Sequence, residues 1–81
     1  AEYADAPAEV ARAVRADTDA LRSRLARLAE DGGIADAAGL AERLLLVVTG
    51  DLAMRLREPG RSTGTARAIA TALLAQAREA S

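Results

Sequence analysis

Apolar residues recur along this chain at helical spacing in three segments, and nowhere with the two-residue period of a strand. In the first segment Val10, Val14, Leu21, Leu25 and Leu28 fall within a stripe of roughly 60° when each residue is turned by ~100°. Arg12, Arg15, Arg22 and Arg27 project to other sides. This predicts a helix over about 8–30, with Pro7 in its first turn. "DGGIAD" stops it: Gly32 or Gly33 suits the left-handed position after a helix, with Ile34 as the apolar residue that follows. Asp36 is a good N-cap for a second helix over about 37–57. "EPG" at 58–60 ends it, because proline restricts the residue before it and has no N–H to continue the ladder. Ser62 or Thr63 caps a third helix over about 62–79, with Ala66, Ile69, Ala70, Leu73, Leu74 and Ala77 on one face. The expected fold is all-α: a single domain of three helices in antiparallel packing.

The second helix is too apolar for an outer helix. Around "LLLVVTG", Leu44 to Gly50, its large residues form two adjoining stripes. Leu40, Leu44, Val47 and Met54 make one, and Leu45, Val48, Leu52 and Leu56 the other. The first helix accounts for one stripe, while the third offers only Ile69, Leu73 and Leu74 as large residues. Either this is the central helix of a monomeric three-helix domain, or a second copy covers the remaining face and forms a four-helix bundle.

Composition favours the second copy. Hydrophobic residues make up 51% of the 81, yet 22 are Ala and only 18 are Leu, Val, Ile or Met, with Tyr3 the sole aromatic. So sparse a core in so short a chain calls for a staple. Without Cys or His, disulfide and zinc staples are excluded, which leaves association. The expected dimer surface is Leu45, Val48, Leu52 and Leu56 of the second helix with Ala66, Ile69, Ala70, Leu73, Leu74 and Ala77 of the third.

Charge narrows the function. All 11 basic residues are Arg, against 12 acidic ones, for a net charge of −1. That balance is wrong for a nucleic-acid binder, whose affinity rests largely on neutralising phosphates. The arginines of the first helix are scattered and interleaved with Asp17 and Asp19, the pattern of a solvated face. The apolar run Leu44–Val48 is far too short to span a bilayer, and no secretory signal opens the chain, so a cytoplasmic protein is expected. With no His, Cys or Lys, the usual bases and nucleophiles are missing; no enzyme, cofactor or metal is expected.

The stretch "AGLAERLLLVVTGDLAMRLREPGRSTGTARAIATALLAQA", residues 38–77, resembles the C-terminal end of TetR-family transcriptional regulators. Their penultimate helix carries an L-A-x-x-L-L-L-L-x-x-G-A-like run, matched here from Leu40 to Asp51, before a polar joint and an Ala-rich last helix ending in A-L-L, here Ala72-Leu73-Leu74. The preceding "VRADTDALRSRLARLAEDGGIADAAGLAE" is similar to the helix and turn placed before that pair. The resemblance implies a homodimer formed chiefly through the last two helices, and part of a pocket for a small-molecule effector. It also implies that DNA is reached only through an N-terminal helix-turn-helix domain, to which nothing in this chain corresponds.

Two carboxylates stand on apolar stripes, Asp17 on the first helix and Asp51 on the second. In one reading Asp17, Leu21, Val47 and Asp51 line a partly polar pocket that favours a cationic ligand. In the other, Asp51 pairs with Arg55 four residues on, Asp17 meets Arg24, or the stripe is simply solvated there. Two further functional readings remain beside the regulator. One is a free-standing helical interaction module. The other is an all-helical chorismate mutase, to whose first helix "DTDALRSRLARL" is loosely similar, although that family's active site uses a Lys this chain does not have.

Overall fold

The computed structural model describes the backbone over residues 2–81 and the side chains from Pro7 onward. Three helices follow in order, α1 (Glu2–Asp31), α2 (Ala37–Arg57) and α3 (Gly64–Ala80), with no strand among the described residues. α1 starts ahead of Pro7 and carries it inside. Proline removes a single ladder donor, and close to a helix start that loss is small enough for the helix-favouring residues before it to prevail.

Both joints follow from local chemistry. At the end of α1, Gly33 takes φ +81°. Its N–H donates to the Glu30 carbonyl at 3.0 Å while the Ile34 N–H reaches the Ala29 carbonyl at 3.0 Å. This is the paired closure of a helix by a left-handed glycine, with Ile34 packed against Ala29 as its apolar partner. Asp36 then caps α2: its carboxylate accepts from the Gly39 N–H at 3.0 Å, and its carbonyl accepts from Leu40 N–H at 3.0 Å. A Cβ at position 39 would collide with that carboxylate, so glycine there is part of the cap. Asp36→Ala is expected to lower stability by about 1 kcal/mol, read as a reduced urea midpoint at unchanged slope.

The second joint turns at Gly60, φ +92°, with the Arg61 N–H donating to the Glu58 carbonyl at 3.1 Å. Thr63 occupies the N-cap position of α3 without a side-chain bond, and the Ser62 hydroxyl accepts from Gly64 N–H at 3.2 Å instead. At the far end of α3, the Ser81 hydroxyl accepts from Ala35 N–H at 3.0 Å and donates to the Ala77 carbonyl at 2.8 Å. That contact ties the last helix to the first joint.

The helices lie side by side. α2 packs against α1 on one flank and α3 on the other, and the backbones of α1 and α3 do not approach each other. The chain measures 53 × 29 × 13 Å. Three helices stacked as a triangle at 8–10 Å spacing would measure about 14 Å in both short directions. A width of 29 Å therefore marks an open, splayed arrangement with α2 between α1 and α3, and a thickness of 13 Å means that the three axes do not lie in one flat layer. The radius of gyration is 15.6 Å, against about 12 Å for a compact domain of this length.

So open an arrangement buries little. Ala29, Ala37, Leu40, Ala41 and Leu45 are buried, all within residues 29–45, and no residue of α3 joins them. Only at this end do the joint, the start of α2 and the end of α3 meet: Ile34, Leu44, Leu73, Leu74 and Ala77 pack around Ala29, Ala37 and Leu40.

The division of apolar stripes differs from the helical-wheel expectation. Leu45, expected on the partner-facing stripe, is 6% exposed within the chain's own core, and Met54, expected inside, is exposed. α1 meets α2 through Ala29 rather than through the centre of its apolar stripe: Val10, Val14 and Leu28 are exposed, Leu21 and Leu25 half-buried. Small residues let two backbones approach closely, and three of the five buried residues, Ala29, Ala37 and Ala41, are of that kind.

Candidate association surface

α2 is flanked by neighbours at its two edges and is open above and below. On one open side Leu46, Gly50 and Met54 of α2 line a hollow of about 180 Å³ with Ile69, Ala66 and Thr65 of α3. Leu46 is 74% exposed, and Met54 and Ile69 are exposed as well. A second hollow of about 270 Å³ runs between α1 and α3, lined by Leu25, Leu28, Leu40, Leu44 and Leu74 with Arg78 at one side. Val48 and Leu52, both exposed, lie within about 80° of Leu44 around α2. The chain thus presents two apolar surfaces, one made by α2 and α3 and a broader one shared by all three helices.

The residues expected at a dimer surface are divided by the fold. Val48, Leu52, Leu56 and Ile69 are exposed; Ala66, Ala70, Leu73, Leu74 and Ala77 are half-buried, the last three against the chain's own core. Ile69 belongs to the hollow with Leu46 and Met54, which Val48 and Leu52 do not line. Leu46 stands outside both α2 stripes on the wheel and is not singled out by the sequence, whereas Gly50 and Asp51 are marked there as the place where a ligand is felt. A leucine one helical turn before a mid-helix glycine was the available signal.

Of the four residues grouped as a pocket, the fold brings two together. Val47 and Asp51 line the smaller hollow, whereas Asp17 is exposed on α1 and neither it nor Leu21 borders that hollow. Asp51 is 12% exposed at its side chain and pairs with Arg55 at 3.0 Å, the acid-first spacing that favours a helical ion pair. Asp17 takes part in no ion pair among the described residues, so the apolar stripe of α1 is solvated at that position.

Charge elsewhere holds helices in register. Arg22 of α1 donates to Glu42 of α2 at 2.8 Å and to Asp19 at 2.6 Å. The hydrogen bond that Arg22 donates to Glu42, reinforced by the carboxylate's charge, raises the Arg22 pKa above its ordinary value. Among the described residues, no group of His, Cys, Asp and Glu is arranged to hold a metal ion, and no helix is long and apolar enough to cross a membrane. No protein-family model matches the chain, and neither the curated proteins nor the solved structures compared with it contain a match.

Proposed function

We propose that this chain is a homodimerisation module, the C-terminal part of a TetR-like transcriptional regulator, in which α2 and α3 face the same pair of helices in a second copy. One observation carries the reading: three helices in so open an arrangement leave far more surface in water than a folded chain of this size ordinarily does. The exposed area is 6229 Å², whereas a compact monomer of 8.4 kDa would expose about 4,600 Å². The excess, roughly 1,600 Å² per chain, is about twice the share that one partner contributes to a standard interface. Exposed apolar side chains stand on all three helices: Val10, Val14 and Leu28 on α1, Leu46, Val48, Leu52, Met54 and Leu56 on α2, and Ile69 on α3. Exposed apolar side chains in that number support an association surface.

The resemblance over residues 38–77 supports the choice of α2 and α3 as the pair that meets the partner. In this reading DNA is reached through a helix-turn-helix region outside these residues, an effector is sensed partly here, and no reaction is catalysed. Multi-angle light scattering during gel filtration tests the association. The expected mass is twice 8.4 kDa at about 10 µM, a concentration at which interfaces of this size are well populated. A stable monomer there overturns the proposal.

A further inference from the structure

The geometry points to Gly50 as the place where the α2 helices of two copies cross, back to back, in the dimer proposed above. The first support is that nothing inside the chain explains a glycine at this position. Gly33 and Gly60 stand at positive φ, and a Cβ at Gly39 would strike the Asp36 carboxylate. Gly50 lies in the middle of α2, at ordinary helical φ, and a Cβ there would meet no atom within 4 Å. A helix interior disfavours glycine more than any residue except proline. Its use at an open, unstrained site is accounted for by something outside the chain that needs the room.

The second support is what surrounds it. Leu46 and Met54 stand one turn to either side, and Ile69 lies across the hollow on α3, all three exposed. They form an apolar rim around a bare patch of helix backbone. Helices approach most closely where the crossing point carries a small residue and the flanking large ones interdigitate. A second α2 laid across Gly50 about a two-fold axis satisfies that geometry reciprocally, Leu46 of each chain packing beside the rim of the other. The occupant is taken as another copy because the exposed area in excess of a compact chain is enough for a stable dimer, one standard-sized contact using about half of it.

Charge agrees with a crossing rather than a lengthwise pairing. The two charged groups lining the hollow are already paired, Asp51 with Arg55 at 3.0 Å and Arg61 with Glu58 at 2.7 Å, so docking buries no lone ion. Arg43 and Arg57 stand seven residues before and after Gly50 on the same side of α2. Two α2 helices lying antiparallel along their whole length would bring these like charges together, whereas helices crossing at Gly50 keep them apart.

Gly50→Ala and Gly50→Leu test the inference, with dissociation constants from sedimentation and melting followed by circular dichroism. Because the site has room within the chain and alanine favours helix, neither variant is expected to lose helical content. The expected result is a dimer weakened at least about tenfold by Ala and more by Leu. A wild-type chain that is monomeric overturns both the dimer and this crossing. A wild-type dimer whose affinity Gly50→Leu leaves unchanged overturns the crossing alone, and places the contact on the other face with Val48 and Leu52.

Discussion

Leu40→Ala is expected to destabilise the chain by about 2–5 kcal/mol, the range for removing a fully buried leucine side chain. Leu40 is 2% exposed and is the one large side chain completely enclosed among the described residues. It sits where the α1–α2 joint, the start of α2 and the end of α3 come together, with Ile34, Leu44, Leu73, Leu74 and Ala77 packed around its cluster. Few neighbours are free to close the cavity, because the glycine closure at Gly33 and the Asp36 cap fix the joint on one side. A domain of 81 residues has a total stability of only about 4–12 kcal/mol, so this loss is a large part of the whole. Urea unfolding followed by circular dichroism measures it. An effect below about 1 kcal/mol would place the stabilising core elsewhere.

The second large effect is on temperature. If folding is completed by a second copy, the melting midpoint depends on protein concentration, because mass action favours the associated folded state. For two chains of 81 residues unfolding together, the entropy of melting implies a rise of about 4 °C for each tenfold increase in concentration. Between about 1 and 100 µM the midpoint is expected to climb by about 8 °C. A midpoint that stays constant across that range would mean that the chain is stable by itself. Among the described residues buried side chains are confined to 29–45, and the remainder of α2 and all of α3 contribute none.

Much of this was readable from residue order. The glycine closure at Gly33, the cap at Asp36, the break at Pro59 and the ends of α2 are decided by interactions within a few residues, and each lies where the sequence predicts it. The Asp51–Arg55 pair is of the same kind, since four residues of helix bring the two together whatever else the chain does. Such features depend only on backbone geometry near the residue concerned. The start of α1 was less legible, because a proline near a helix start signals a beginning whether or not the helix continues behind it.

The candidate surface was legible in outline and not in detail. That α2 has more apolar circumference than one neighbour covers is a property of its wheel, and it holds in the structure. Which residues are left over is not. A wheel gives angles around one helix and carries no information about where its neighbours sit. Here Leu45 is buried together with Ala29, Ala37 and Ala41, and Leu46 is left exposed beside Gly50. The sequence by itself determined three helices, their joints and a surplus of apolar surface, because those rest on local hydrogen bonding and on counting side chains. Only the tertiary structure decided that α2 lies between α1 and α3 in an open arrangement, and therefore which side chains remain exposed. That choice depends on how helices remote in sequence pack together, and a contact of that kind is a property of pairs of surfaces rather than of any one segment.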